Sequence, residues 1–160
     1  MSKTLLSTAI IVIVALASGA AFAGPGAPGH SHESFSAGEP GNPKRPARVV
    51  LVNMQEGDGK MMFVPARLEI KRGEQVRFML SNSGELEHEF VLATTEENLK
   101  HAEEMKKNPD MEHDDPNARR VKPKQRGEIV WRFTKAGTFE YGCLIPGHRE
   151  AGMTGIIIVK

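Results

Sequence analysis

The sequence predicts an all-β fold, a sandwich of about seven or eight short strands. From Arg48 onward, short apolar or alternating runs are separated by Gly, Pro, Asn and Ser, a pattern typical of β-sandwiches. In the run 128–134, Ile129, Trp131 and Phe133 occupy alternate positions. Successive side chains of a strand point to opposite faces, so this strand is predicted to bury one face.

The first 23 residues have the three parts of a secretory signal peptide. Lys3 precedes an apolar run from Leu5 to Ala17, and Ala21-Phe22-Ala23 forms a small-residue cleavage pattern. The apolar run is shorter than the about 20 residues that span a membrane, so we expect cleavage rather than a retained anchor. The mature, exported chain then starts at Gly24.

The next segment, residues 24–47, is rich in Gly, Pro and Ser and has one phenylalanine. Such a composition buries too little apolar surface to offset the entropy lost on ordering. A disordered arm is therefore predicted here, followed by a single domain over residues 48–160.

The strands of that domain are predicted from eight segments. In chain order they are RVVLVNM, MMFVP, RLEIKRG, EQVRFMLSNSG, LEHEFVLAT, GEIVWRFTKAG, TFEYGC and MTGIIIVK. Each is short, apolar or alternating, and bounded by turn residues.

The hydrophobic period changes between the fifth and sixth of these strands. Thr94 followed by Glu97 fits a capping box, and Leu99, Ala102 and Met105 fall on one helical face. We therefore predict a helix at about 95–107, ended by Asn108-Pro109. The sequence that follows is Pro-rich and basic, so the whole stretch 94–126 is predicted to be an exposed excursion from the sandwich.

The charge balance excludes some partners. The chain has 21 Lys and Arg against 20 Asp and Glu, and the leader removes only Lys3, so the mature protein is close to neutral. Nucleic acid binding lacks its usual electrostatic support. We expect a monomer that has no membrane association once the leader is removed.

The single cysteine, Cys143, cannot form an internal disulfide, so its thiol is buried, reactive or metal-bound. It ends a strand whose alternate residues are Phe139 and Tyr141. Pro146-Gly147 suits the centre of a type II turn, which returns His148 toward the sulfur. A second turn precedes Met153 at the start of the last strand, so thiolate, imidazole and thioether are predicted to converge.

Those donors suit copper that changes between its two oxidation states. Thiolate and thioether favour Cu(I), imidazole accepts both states, and a trigonal site of two histidines and a cysteine with a distant methionine transfers electrons. Zinc is the competing metal, but structural zinc sites rarely use methionine. The second histidine is predicted to be His88, at the start of an apolar strand.

The chain resembles the cupredoxins, the small type 1 copper proteins, over about residues 48–160. The pattern Cys-x4-His-x4-Met with an upstream histidine is one of that family's ligand spacings, and HEFVL, MEHDDPNA and EYGCLIPGHREAGM are similar to periplasmic copper-tolerance cupredoxins. The resemblance implies a Greek-key β-sandwich and one type 1 copper ion. It also implies that His88, Cys143 and His148 are equatorial ligands and Met153 the axial ligand.

One position departs from the family pattern. Many members have asparagine directly after the first histidine ligand, where this chain has Glu89. The usual hydrogen bonds between the ligand loops are therefore open to question, and with them the colour and reduction potential of the site.

Two further groups are weaker candidates for additional copper. In the arm, His30 and His32 either capture exported copper or are simply solvated. In the excursion, the candidates are His101, Met105, Met111 and His113. The alternative there is a solvated helix with Met105 in the core.

The predicted function is periplasmic copper binding with Cu(I)/Cu(II) cycling, contributing to copper tolerance. The alternative is a dedicated electron shuttle with a redox partner protein, for which the excursion's basic residues would be a docking patch rather than a solvated loop. This basic cluster comprises Arg119, Arg120, Lys122, Lys124 and Arg126. Catalysis is not expected, because copper oxidases and reductases need several further histidine ligands for extra copper centres.

Overall fold

The computed structural model describes residues 34–108 and 115–160. All of them fall within one unit, Ser31–Lys160. The predicted signal peptide and the first part of the predicted arm lie outside the described residues. Among the residues that are described, none belongs to a helix long and apolar enough to cross a membrane.

The described residues form ten strands and one helix, and the strands make two five-stranded sheets. In chain order the elements are β1 (Glu39–Pro40), β2 (Arg48–Gly57), β3 (Lys60–Val64), β4 (Arg67–Ile70), β5 (Gln75–Asn82), β6 (His88–Ala93), α1 (Thr95–Lys107), β7 (Ala118–Val121), β8 (Arg126–Arg132), β9 (Gly137–Gly142) and β10 (Thr154–Val159). The first sheet has the order β1-β8-β5-β2-β3 and the second β4-β10-β9-β6-β7. The predicted all-β sandwich is confirmed.

The core lies between the sheets and contains alternate residues of their strands. Ile129, Trp131 and Phe133 are buried, as the alternation in that segment predicts. Four rings from both sheets meet at its centre, with neighbouring centroids 5.1 to 5.9 Å apart. They are Phe63, Phe78, Phe90 and Tyr141. Edge-to-face and stacked pairs at such distances each contribute about 0.5–1.5 kcal/mol beyond burial, so the layer is rigidly packed.

Strand β1 and the residues before it correct the prediction that the whole segment 24–47 is a disordered arm. Phe35 packs edge-on against Trp131 at a centroid distance of 5.2 Å, and the Trp131 indole N–H donates to the Ala37 carbonyl at 3.4 Å. The two residues of β1 pair with β8. The prediction from composition is wrong for these residues because a single aromatic side chain and backbone pairing at a sheet edge order them without an apolar run.

Strand β7 is the second element that the sequence did not predict, and it lies inside the predicted excursion 94–126. Its sequence, Ala-Arg-Arg-Val, pairs antiparallel with β6 at the edge of the second sheet. An edge strand with basic side chains lacks the apolar alternation on which strand prediction depends. The basic cluster therefore begins on a sheet edge rather than in a loop.

Helix α1 confirms the predicted helix at about 95–107. The capping box is present: the Glu97 backbone N–H donates to Thr94 Oγ1 at 3.2 Å, and the Thr94 N–H donates to the Glu97 carboxylate at 2.9 Å. The acidic residues of the first turn and the basic residues of the last turn complement the helix dipole.

The predicted apolar face of α1 is partly wrong. Ala102 and Met105 are buried, but Leu99 is 50% exposed and Asn98 is buried instead. The Asn98 amide donates to the Glu140 carboxylate at 3.0 Å. With this hydrogen bond a polar residue occupies the inner position, which a hydrophobic pattern does not reveal.

Candidate metal centre

Antiparallel pairing of β6 with β9 brings two distant parts of the sequence together. Val91 is opposite Gly142 and Leu92 is opposite Tyr141, so the beginning of β6 lies beside the end of β9. His88 is the first residue of β6, and Cys143 directly follows β9. The imidazole and the thiol therefore meet at one end of the second sheet.

The loop after Cys143 returns the chain to the sulfur, as predicted. The His148 backbone N–H donates to the Ile145 carbonyl at 3.0 Å, and Gly147 has a φ of +88°. A positive φ at the third position is the mark of a type II turn and favours glycine there. The turn places His148 Nδ1 3.3 Å from Cys143 Sγ.

Three predicted ligands come together at this point. His88 Nδ1 lies 3.3 Å from His148 Nδ1, and one donor atom from each of His88, Cys143 and His148 lies within 4.8 Å of the other two. Within the described residues, no other group of three or more His, Cys, Asp or Glu side chains is so arranged. Two nitrogens that are each about 2.0 Å from one metal ion lie about 3.3 Å apart at a tetrahedral angle, so the spacing fits a shared ion.

The fourth predicted ligand, Met153, is held next to the cysteine by its backbone. The Cys143 N–H donates to the Met153 carbonyl and the Met153 N–H donates to the His148 carbonyl, both at 3.1 Å. The Met153 side chain is fully buried in the same cluster as Cys143. The loop that starts at the thiol is thus closed by two backbone hydrogen bonds at the methionine.

Burial shapes the protonation of the donors. It raises the pKa of the Cys143 thiol to about 12, although the backbone N–H groups of Glu89 and Ile145 partly offset the effect. Burial and the neighbouring His88 lower the pKa of His148. Without a metal ion the site at neutral pH is therefore a neutral thiol beside a neutral imidazole, and a bound cation must displace the thiol proton.

A carboxylate supports the buried histidine. Glu56 Oε1 lies 2.6 Å from His88 Nε2, on the side of the ring away from Nδ1. The same carboxylate accepts the backbone N–H groups of Glu85 and Leu86, each at 3.0 Å. Burial would raise the pKa of Glu56, but these donors and His88 together hold it below its usual value. Sequence analysis missed Glu56, because nothing local to β2 points to a contact 32 residues away.

The loop before His88 is tied by Asn82, which sequence analysis also missed. Its side-chain amide donates to the Leu86 and Val121 carbonyls at 2.7 and 2.9 Å, and its Oδ1 accepts the Gly84 N–H at 2.9 Å. A buried asparagine on β5 thus anchors the loop that leads into β6.

Glu89, the departure from the family pattern, keeps its backbone contact with the sulfur. Its N–H donates to Cys143 Sγ at 3.3 Å. The side chain is buried, and Oε2 has no hydrogen-bond partner among the described residues. Burial raises the pKa of this carboxyl group. Within the described part of the chain, Oε2 therefore contributes no hydrogen bond between the two loops.

The loop from Cys143 to Met153 is anchored by an ion pair between Arg149 and the buried Glu140. Arg149 makes a bidentate contact with Glu140 of β9, one arm of which measures 2.9 Å. Asn98 of α1 donates to the same carboxylate. Next to the cysteine, Leu144 packs with Met105 of α1. Helix α1 therefore packs against this loop and supports it.

The weaker candidates are not assembled into a second site in the described residues. Met105 is fully buried in the apolar cluster under the loop, as the alternative interpretation of the helix expects. On the helix surface, His101 Nδ1 lies 3.8 Å from Glu104 Oε2. His30, His32, Met111 and His113 lie outside the described residues.

The fold and the donor set define a class, a β-sandwich with a mononuclear copper site of the cupredoxin type. The family model for copper binding proteins of the plastocyanin/azurin family matches residues 50–160. The chain belongs to this family, and the predicted cupredoxin and its copper cofactor are confirmed.

Two curated relatives are copper-resistant cuproproteins named CopI. The one from Rubrivivax gelatinosus is 57% identical over 100 residues, which cover 62% of this chain and 61% of that protein. The one from Pseudomonas aeruginosa is 36% identical over 131 residues and covers 64% of this chain and 72% of that protein. The chain thus spans about three-fifths of the length of the Rubrivivax relative.

Solved structures show the same fold. Auracyanin B matches with a TM-score of 0.62 at 24% identity, covering 78% of this chain and 96% of that chain. Auracyanin A, a blue copper protein from Chloroflexus aurantiacus, matches with a TM-score of 0.56 at 19% identity, covering 70% and 99%. At such identities the likeness extends to the fold alone.

Proposed function

We propose that the protein binds one copper ion through His88, Cys143 and His148 as equatorial ligands, with Met153 as the axial ligand. The observation that carries this proposal is the convergence of two imidazoles and one thiol. His148 Nδ1 lies 3.3 Å from His88 Nδ1 and 3.3 Å from Cys143 Sγ. The burial of Met153 beside Cys143 supports the axial assignment.

The donor set suits both copper oxidation states. Copper would supply a one-electron couple, with the thiolate and thioether favouring Cu(I) and the imidazoles accepting either state. The chain's part is to hold the donors still: His88 and Cys143 are completely buried, and the two ligand loops are fastened by Asn82 and Arg149. A site that is already arranged changes little when an electron moves.

The proposed role is copper tolerance in the periplasm, without catalysis of its own. Support comes from the CopI relatives, copper-resistant cuproproteins that are 57% and 36% identical to this chain, and from the signal peptide predicted for residues 1–23. The described residues provide one candidate copper site, whereas copper oxidases need additional centres.

Complementation of a deletion strain tests this role. Deleting the gene should impair growth only under copper stress, and the wild-type gene should restore it. A Cys143→Ser allele, expressed and exported at the wild-type level, should fail to restore growth because it lacks the thiolate ligand. Full restoration by that allele would contradict the proposal.

The electron shuttle remains as a second candidate because of one structural observation. Arg119 and Arg120 lie on β7, which pairs with β6, the strand that begins with His88. Positive side chains beside the site would suit an acidic redox partner. Deletion that slows an electron-transfer chain and leaves copper tolerance unchanged would favour this function over the first.

A further inference from the structure

The carboxylate of Glu56 occupies a prepared position behind His88. Glu56 lies near the end of β2, in the opposite sheet from β6. Its Oε1 is 2.6 Å from His88 Nε2, and the His88 ring is fully buried. The contact is therefore a short, charge-assisted hydrogen bond that water does not compete for on the histidine side.

The loop before His88 is shaped around this carboxylate. The backbone N–H groups of Glu85 and Leu86 donate to its two oxygens. A Cβ on Gly84 would lie 2.3 Å from those oxygens, so only glycine leaves room for them. Two donors and the missing side chain fix the carboxylate independently of His88.

The position of Glu56 determines which ring nitrogen of His88 carries the proton. An ionised carboxylate only accepts hydrogen bonds, so Nε2 must be the donor. In the neutral ring the lone pair then lies on Nδ1. Nδ1 is the atom that faces His148 Nδ1 at 3.3 Å, so the tautomer is the one that metal binding requires.

We propose that Glu56 is a positioning residue that holds His88 in its metal-binding tautomer and lowers the reduction potential of the bound copper. The inference rests on the ligand set proposed above. A carboxylate bonded to the distal nitrogen of a ligating imidazole raises the basicity of that ligand. A stronger, harder donor stabilises Cu(II) more than Cu(I), which prefers soft ligands.

The first test compares two charge-removing variants. Glu56→Gln keeps the shape but no longer places a negative charge on His88, and its single amide oxygen can accept only one of the two loop N–H groups, which donate to different oxygens of Glu56. Glu85→Gln removes a charge from the same loop, yet that side chain pairs with Lys124 and does not touch the ring. Both copper-loaded variants should retain the sulfur-to-copper visible band.

The reduction potential separates these two variants. For Glu56→Gln we expect a rise of about 59 mV, equivalent to a tenfold loss of Cu(II) affinity relative to Cu(I). Glu85→Gln should change the potential by much less. Equal potentials in the two variants, with the visible band intact, would overturn the inference and leave the ligand set standing. A visible band that persists when Cys143 is replaced by serine would instead contradict the ligand set.

A second variant keeps the carboxylate but removes its position. In Gly84→Ala the new Cβ must push Glu56 away, because the colliding atoms belong to a flexible side chain. The potential should rise as in Glu56→Gln. An unchanged potential in a folded Gly84→Ala protein would count against Glu56.

The metal-free protein gives an independent readout. Nitrogen-15 NMR of the histidine rings should show His88 protonated at Nε2 in the wild type, and this preference should weaken in Glu56→Gln. Observation of the Nδ1-protonated tautomer in the wild type would refute the positioning role whatever the copper site does.

Discussion

At the scale of single residues, Glu89 places a buried carboxyl group directly after His88. Its Oε2 has no hydrogen-bond partner among the described residues. The backbone N–H of the same residue donates to Cys143 Sγ. Burial raises the pKa of the carboxyl group, the nearby Glu87 and Asp115 add to the effect, and Arg120 opposes it. These surroundings therefore shift the equilibrium of the carboxyl group toward its protonated form.

The effect of pH on the metal-free protein follows from that shift. Because the folded pKa is raised, the folded state holds a proton that the unfolded state releases above about pH 4.5. The contribution of Glu89 to stability is thus complete below that pH and is lost as the pH rises through the folded pKa. Glu89→Gln should increase the free energy of unfolding at pH 8, with the gain shrinking toward pH 4.

Urea denaturation of the wild-type and Glu89→Gln apoproteins at both pH values measures this difference. Removal of the side chain's ionisation leaves the backbone N–H to the sulfur in place, so the copper-loaded variant serves as a control for an intact site. A variant less stable than the wild type at pH 8 would show that the carboxylate is favourably bound.

Met153 supplies the second prediction at this scale. Met153→Leu conserves volume in a buried position and should cost less than about 1.5 kcal/mol of stability. Copper should remain bound with its visible sulfur band, but the reduction potential should rise because Cu(II) loses a donor. An unchanged potential and spectrum, measured by voltammetry and absorption, would exclude the thioether from the site.

At the scale of elements, the site depends on what fastens the two ligand loops. The loop before His88 is held by Asn82 from β5 and by Glu56 from β2. The loop after Cys143 is held by the Arg149–Glu140 pair and rests on α1 through Leu144. Both loops are therefore held by neighbouring secondary structure, and α1 supports the loop that carries three of the proposed ligands.

Arg149→Met tests this bracing. The Glu140 side chain is 7% exposed, and leaving a buried charge unpaired costs about 3 kcal/mol or more. We expect a loss of stability of that size and faster release of copper to a chelator. Adding Glu140→Gln to the same protein should recover much of the loss, because the unpaired charge is gone.

Lys106→Met is the matched control for that measurement. Lys106 pairs with Glu150 of the same loop at 3.1 Å but is exposed. Exposed pairs contribute little, so chelator release and denaturation should stay near the wild type. Equal effects of the two substitutions would argue against a special role for the buried pair.

At the scale of the whole molecule, the pairing of strands in the sandwich brings the proposed ligands together. Antiparallel pairing of β6 and β9 joins His88 to Cys143, although they are 55 positions apart in the numbering. An aromatic layer from both sheets lies in the same core cluster as the thiol and Met153. A pre-formed frame of this kind is expected to bind metal without folding around it.

The parts that sequence predicts are those with local signals. Helix α1 has its capping box, eight strands have apolar runs, and the turn at Pro146-Gly147 carries its own residue signature. No fixed spacing links His88 to Cys143, so His88 is predicted from its place at the start of an apolar strand, and the family resemblance implies the same residue.

The parts that sequence does not predict depend on contacts between distant segments. Strands β1 and β7 are polar edges stabilised by backbone pairing. Glu56 and Asn82 act across the sandwich on a loop whose sequence gives no sign of them. Asn98 replaces Leu99 inside because Glu140 accepts its amide hydrogen bond.

The most direct test of the central claim is the visible spectrum and metal content of the purified mature protein, measured beside Cys143→Ser. The wild type should bind one copper per chain and show a strong sulfur-to-copper absorption as Cu(II). The variant should lose that absorption even if it retains copper on its imidazoles. An equally strong band in Cys143→Ser would contradict the site.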